Sequence, residues 1–281
     1  MGRSKIAAAL EMGSSKIAVL VGEIAPGKTL NIIGMSEVSS NGISKGEIYD
    51  FKAASLSAHE ALAAAEKSAG VSLDEVFLGI SGGHLQGFYN EATVTVSASN
   101  SVVAAADVER ACRDAKAKQL PQERIYLHHV HNGYELDGRA VVNPVGAQGQ
   151  KLSAAYWSVH AHTHKVRDAI HVVNGFGLTV EDVIISSLAS GVMVSSEAER
   201  QNGLLVIDLG AGTSDYVLYR RGFAALTGCL PVGSGHISND LSLGLRIPSK
   251  NAEALKLEFG KDWRQDHWGS YGVTPDTSDH Y

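Results

Sequence analysis

Cysteine is almost absent: Cys112 and Cys229 are the two thiols in 281 residues. Two thiols build no disulfide framework, which fits a reducing compartment. Charge is sparse as well, at 19% Asp, Glu, Lys and Arg with a net of −6. No basic excess gathers into a patch, and this argues against nucleic acid as a partner, because phosphate contacts need clustered Lys and Arg. Long apolar runs are missing, and none approaches the ~20 residues that span a bilayer. The first apolar run, Ile6 to Leu10, ends at Glu11. It is too short for a secretory signal core and reads as a buried strand. Ile6 also stands where an N-myristoylation motif requires Ser or Thr.

Apolar residues, at 44%, are plentiful enough for a sizeable core. The length suits one large domain or two medium ones. Residues 6–38 carry strand and hairpin signals: Ile6–Leu10, Ile17–Gly22 and Leu30–Val38, the last after Pro26-Gly27-Lys28. Residues 52–69 are Ala-rich at helical spacing with Gly70 as a stop, and Val76–Ile80 is a short strand ending in Ser81-Gly82-Gly83. Residues 84–158 differ in texture and read as an inserted module. In it, Ala92–Ala98 reads as a strand, Asp107–Ala117 as a helix opened by its acid, and Ile125–His131 and Leu152–His164 as strands. Beyond it, Lys165–Asn174 is predicted helical, Val183–Ile185 a strand and Leu188–Glu199 a helix. Leu204–Asp208 and Tyr216–Tyr219 are strands around a Gly-rich turn, and Asn251–Phe259 is a helix ending at Gly260. Lys261–Tyr281 has two Trp but no apolar periodicity and is expected to be poorly ordered.

The most informative feature is an approximate repeat. Ala8-Ala9-Leu10-Glu11-Met12-Gly13-Ser14-Ser15-Lys16, running into Ile-Ala-Val-Leu, parallels Leu205-Val-Ile-Asp208-Leu-Gly210-Ala-Gly212-Thr213-Ser214-Asp215, running into Tyr-Val-Leu. Each copy reads apolar strand, acid, apolar residue, Gly, small residues, hydroxyl, charge, apolar strand. The two acids lie 197 positions apart (208 − 11). Glycine lets backbone approach a ligand closely, and small turn residues leave N–H groups free to cradle an anion. Ser and Thr hydroxyls add phosphate contacts. A carboxylate at the strand end, Asp208 or Glu11, can hold a hydrated Mg²⁺. Two such hairpins facing across a cleft would clamp a nucleotide's phosphates. A plain tight β-hairpin explains either copy alone, but not both with matched acids. Neither copy is a P-loop or a dinucleotide fingerprint.

This duplication resembles that of the actin, chaperone and sugar-kinase superfamily. Leu10 to Lys16 with Gly22-Glu23, Leu30-Asn31-Ile32-Ile33-Gly34, Asn41-Gly42-Ile43-Ser44-Lys45-Gly46 and Asn143-Pro144-Val145-Gly146 resemble the FtsA family of bacterial cell-division proteins, over about residues 5–260. The resemblance implies an actin-like (ribonuclease H-like) α/β fold with an inserted α+β subdomain and an incomplete second domain. Residues 1–83 and 159–200 would form the first domain, 84–158 the insertion, 201–260 the start of the second domain, and 261–281 an atypical tail. It implies ATP and Mg²⁺ as ligands of Glu11, Gly13, Ser14, Ser15, Lys16, Asp208, Gly210, Gly212, Thr213 and Ser214, with Glu253 and Lys256 near ribose and adenine. It implies a role in division-ring assembly, with FtsZ, other division proteins and further copies of itself as partners. Its place would be the cytoplasmic face of the membrane at the division site, and it would be at most a weak ATPase. The family's C-terminal amphipathic membrane helix is not visible here, and the pattern is expected to stop at Gly260, as in a truncated or frame-shifted product.

Two other functions compete. A related pilus-assembly ATP-binding protein shares the insertion, though Asn41–Gly46 favours the division family. A small-molecule kinase needs a carboxylate base, and Ser186-Ser187-Leu188-Ala189-Ser190-Gly191 between the hairpins has none. His128, His129, His131, His160, His162 and His164 lack the Cys or carboxylate spacing of a zinc site and read as solvent-facing strand residues, His162 and His164 on one face. Cys112 and Cys229 read as small packing residues, and Glu181 and Asp182 as a loop.

Overall fold

The computed structural model describes residues 4–27 and 29–260. The expectation of a poorly ordered tail at 261–281 lies outside the described residues. The chain divides into two compact units, one ending at Gly233 and one starting at Ser234.

In the first unit, β1 (Lys5–Met12), β2 (Lys16–Ile24) and β3 (Leu30–Ser39) form an antiparallel meander. A two-stranded ribbon, β4 (Ile43–Ser44) with β5 (Glu47–Ile48), leads into helix α1 (Phe51–Ala69). Strand β6 (Glu75–Ile80) then returns parallel to β1. After the inserted segment, α3 (Thr163–Asn174) leads to β11 (Thr179–Ile185), parallel to β6, which completes the order β11-β6-β1-β2-β3.

Helix α1 forms where expected, and its ends show why. Asp50 accepts a hydrogen bond from the Ala53 amide at 3.0 Å, and Gly70 at φ 68° closes the helix on Glu66 at 2.8 Å. Ala54, Ala58, Ala61 and Ala65 make a smooth buried face. That face lets the sheet come so close that a Cβ on Gly34 would lie 2.7 Å from the Ala69 nitrogen. Leu10, Val19, Val21, Val76 and Leu78 fill the core beneath α1 and α3.

The inserted segment supplies β7 (Gln86–Thr95), α2 (Ala105–Ala115), β8 (Arg124–Leu136), β9 (Arg139–Val141) and β10 (Lys151–His162), in sheet order β7-β10-β8-β9. Helix α2 starts at Ala105, two residues before the predicted opener. Asp107 acts from inside the first turn, where its buried carboxylate accepts from the amides of Ala104 (3.0 Å) and Ser97 (3.1 Å) and from Arg110 (2.9 Å). Hydrogen bonds from those two amides and the Ser97 hydroxyl, with Arg110 beside them, hold its pKa below the usual carboxylate range.

Helices α4 (Ser186–Met193) and α5 (Glu197–Asn202) follow, then β12 (Leu204–Leu209), β13 (Ser214–Arg220) and β14 (Phe223–Leu230) as a second antiparallel meander. One helix was predicted over 188–199. Ser196 divides it, because its hydroxyl and the Glu199 carboxylate cap each other's backbone. A buried Trp157 Nε1–Thr227 Oγ1 bond (3.0 Å) and an Asn132 Nδ2–Ala224 carbonyl bond (3.0 Å) tie the inserted sheet to β14. The second unit pairs α6 (Ser234–Leu245) with α7 (Ser249–Phe259).

Two expectations are corrected in this part of the chain. Glu181 and Asp182 lie in β11 rather than a loop, and Glu181 accepts from Lys5 at 3.1 Å. The strand histidines are not solvent-facing, whereas His164 is exposed as expected. His160 is buried, His128, His129 and His131 are half-buried, and His164 lies in α3, off the strand. The rings of His129, His131 and His160 lie tilted or edge-on against Tyr126, Tyr134, Tyr156 and Phe88 at centroid distances of 4.3–5.4 Å. The alternation of β8 and β10 does place side chains on two faces, but both faces are covered.

His160 Nδ1 accepts from Arg124 Nε. Burial first, then the Arg124 and Lys118 charges, push its pKa down to about 4. Between the ordinary histidine value and about 4, the unfolded chain therefore binds more protons than the folded one, so stability falls on acidification through that window. Urea midpoints measured from pH 7.5 to 4.5 should drop across it, and His160→Gln should flatten the slope.

Candidate functional site

Each hairpin turn spans four residues closed by one backbone bond, from Gly13 N to Lys16 O (3.0 Å) and from Gly210 N to Thr213 O (2.9 Å). The flanking pairs are Met12 with Ile17 and Leu209 with Ser214, so the two turns superpose with the same offset of 197 (209 − 12) that separates the acids. Glu11 matches Asp208 and Gly13 matches Gly210. The hydroxyl and the charge do not keep position: Ser15 falls on Gly212 and Lys16 on Thr213. The repeat is therefore strict in backbone, acid and first glycine, and loose in the other side chains.

The hairpins meet at their tips. A Cβ on Gly212 would overlap the Ser14 side chain and lie 3.0 Å from the Lys45 nitrogen. Glycine is required there by this close approach. The loop carrying Lys45 is itself unusual, with Lys45 at φ 52° and Gly46 at φ 75°. A Cβ on Gly46 would sit 2.6 Å from the Ser81 carbonyl oxygen. Thus the two turns, the 41–46 loop and the 81–84 loop converge on one place. An open cleft of about 870 Å³ borders it, lined by Lys45, Tyr49, Gly83, Lys165 and Pro231 among others.

The second hairpin carries the carboxylates. Asp208 lies directly across the strand pair from Asp215. Asp208 Oδ2 accepts from Ser190 Oγ of α4 at 2.8 Å, and Asp215 Oδ2 accepts from Thr213 Oγ1 at 2.9 Å. Burial pushes the Asp215 pKa up, and the facing Asp208 adds to that, against hydrogen bonds from Thr213, Cys229 and the Gly82 amide. Cys229 responds in turn: burial and then Asp215 push its thiol up to about 12, so it stays protonated and is no nucleophile. Cys112 is half-buried in α2 with the Tyr134 hydroxyl at 3.6 Å.

The remaining sequence-derived residues are spread more widely. Ser14 and Ser15 sit at the first turn, and Glu11 faces Ala18 across its strand pair. The Lys16 ammonium pairs with Glu37 at 2.8 Å on the surface. Ser214 is buried and donates to the Val232 carbonyl at 2.7 Å. Glu253 and Lys256 lie on α7, paired with each other at 2.8 Å, with Ser238 donating to Glu253 and Lys256 donating to the Ser234 carbonyl at 3.2 Å. Sequence reading missed Asp215 and Ser190 as members of the constellation. Counting residues across a four-residue turn would have placed Asp215 opposite Asp208, whereas nothing in the sequence signals Ser190.

The touching tips test readily. Gly212→Ala should drive the hairpins apart, lower stability by about 1–3 kcal/mol in urea unfolding, and speed amide exchange at Gly13–Lys16.

The meander-plus-parallel sheet, the duplicated hairpin and the converging turns define an actin-like protein. Among solved structures, the chain is similar to the PilM-PilN type IV pilus biogenesis complex, with TM-score 0.64 at 16% identity over 91% of this chain and 70% of that one. It is also similar to the ethanolamine utilization protein EutJ from Carboxydothermus hydrogenoformans, with TM-score 0.53 at 15% identity over 93% of this chain and 64% of that one. These likenesses bear on fold alone. The family model for cell division protein FtsA matches residues 205–272, and that for the SHS2 domain inserted in FtsA matches residues 82–160. FtsA of Escherichia coli K12 is 32% identical over 257 residues, and FtsA of Pseudomonas aeruginosa 29% over 256, each covering 91% of this chain and 61% of the relative. FtsA of Bacillus subtilis is 27% identical over 261 residues, covering 92% of this chain and 59% of the relative. The chain belongs to the FtsA family. It spans about three-fifths of the length of the curated relatives it matches. The family match also runs past Gly260, where the sequence reading had ended it.

Proposed function

We propose that this chain binds ATP with Mg²⁺ at its paired hairpin turns and serves as an actin-like scaffold of the bacterial division ring. The observation that carries this reading is the contact of Gly212 with Ser14 between two turns of identical register. Two cradles of backbone N–H groups brought tip to tip suit a polyphosphate, and the absence of a Cβ leaves the backbone accessible. The donor set beside them is oxygen alone: Asp208, Asp215, Ser190 and Thr213. Hard oxygen ligands are what Mg²⁺ takes, and it keeps part of its water shell.

In this reading Gly13, Ser14, Ser15, Gly210, Gly212 and Thr213 hold phosphate, and Asp208, with Glu11, holds hydrated Mg²⁺. The cation neutralises phosphate charge that two nearby carboxylates would otherwise repel. Lys16 and Ser214 serve phosphate by exchanging their present partners, Glu37 and the Val232 carbonyl. Glu253 and Lys256 serve ribose and adenine. Residues 1–83 with 159–200 act as the first domain, 84–158 as the inserted interaction domain, and 201–260 as the start of the second. The partners are FtsZ, other division proteins and further copies of the chain, beneath the cytoplasmic membrane. Membrane attachment runs through the family's C-terminal amphipathic helix. Among the described residues no helix is long and apolar enough to cross a bilayer. A kinase reading gains no support, since α4 offers a hydroxyl to Asp208 and carries no carboxylate.

Calorimetry of Mg-ATP binding to the whole chain, beside Asp208→Ala, tests the site. Wild type should bind, and the variant should bind at least tenfold more weakly, about 1.4 kcal/mol. Equal binding by both proteins, or none by wild type, would remove the clamp as the basis of function.

A further inference from the structure

The lysines around the cleft differ in what they are free to do. Lys16, at the end of the first turn, is paired with Glu37 on the surface at 2.8 Å. Lys165, from the first turn of α3, lines the cleft but is held by Glu47 at 2.7 Å. Lys45 lines the same cleft, and its ammonium has no partner among the described residues.

The backbone shows how Lys45 is held. Lys45 and Gly46 are the two turn residues of the β4–β5 ribbon, in which Ser44 pairs with Glu47. Their φ values are 52° and 75°. A two-residue hairpin turn with both residues left-handed favours Asn, Asp or Gly at its first place. Lysine there costs conformational energy and adds no bond that the turn needs. The ribbon tip is fixed on two sides. The Lys45 nitrogen lies 3.0 Å from where a Cβ on Gly212 would stand, at the meeting point with Ser14. A Cβ on Gly46 would lie 2.7 Å from the Gly82 Cα, so the ribbon and the 81–84 loop touch. A polyphosphate lying across the two hairpin turns cannot thread between them. A chain that reaches Lys45 therefore ends there, and the group that meets the lysine is the last one. That terminal phosphate is also the most highly charged part of the chain.

We infer that Lys45 reads the terminal phosphate of the bound nucleotide and so sets a preference of this chain for ATP over ADP. The inference deepens the nucleotide reading above and rests on it. It adds a residue that lies outside both copies of the repeat. Lys165 is the other cation of the cleft, but it must leave Glu47 before it can serve phosphate, whereas Lys45 needs no exchange.

Calorimetry of the whole chain with Mg-ATP and, separately, with Mg-ADP tests it. Lys45→Asn removes the ammonium and puts in a residue that suits a left-handed turn, so its urea midpoint should not fall below that of wild type. This variant should bind ATP about tenfold more weakly, the effect of one charge-assisted hydrogen bond, and ADP less than about threefold more weakly. Lys45→Arg keeps the charge and should keep the preference for ATP. Arg221→Asn is the matched control, since Arg221-Gly222 is a turn of the same kind between Arg220 and Phe223. It should change neither affinity. A wild type that binds ATP and ADP equally, or a Lys45→Asn variant that weakens both alike or neither, would overturn the inference and leave the nucleotide site standing. A wild type that binds neither nucleotide would overturn the nucleotide reading and this inference together.

Discussion

The approach of one glycine to one serine organises the rest of the first unit. Gly212 lies against Ser14 at the tips of two turns of the same length, with strands of the same register behind them. The acids then fall at matching places, and the 41–46 loop is forced into left-handed conformations at Lys45 and Gly46 to pass beside them. Gly46 packs on the Ser81 carbonyl, and the adjoining Gly82 amide reaches the Asp215 strand. Loops far apart in sequence are thus held together by contacts between backbones, where no side chain would fit.

The carboxylates behind the turns show how burial and hydrogen bonding divide labour. Asp208 is half-buried and takes one hydroxyl bond, from Ser190. Asp215 is buried and takes several bonds, yet burial still outweighs them and raises its pKa. Burial therefore decides how readily Asp215 carries charge. The same burial keeps Cys229 a thiol and so removes a competing soft ligand from the neighbourhood.

Much of this was legible in the sequence, because the signals were local. Glycine, acid and apolar alternation marked both hairpins, and alanine spacing with Gly70 marked α1. The unread parts depend on distant partners. Helix α2 begins before its acid because Asp107 caps inward onto Ser97, ten positions away. The histidines read as exposed because a strand's alternation shows two faces without saying that both are covered. Helix α6 was not read as an element, since Gly244 interrupts its apolar pattern. Lys16 and Glu253 were legible as candidates, but their present ion pairs were not, because Glu37 lies on the far strand of a hairpin and Lys256 one helical turn on.

The link between the inserted sheet and β14 has a mechanical consequence. The Trp157–Thr227 bond is out of reach of water, so parting the two sheets would strand a donor and an acceptor together. The joint therefore resists sliding and behaves as a weld rather than a hinge. Force applied to β10 reaches β14 through this bond, and the residue two places along from Thr227 is Cys229, the neighbour of Asp215. A load on the inserted module is in this way a load on the strand paired with the one that carries Asp215.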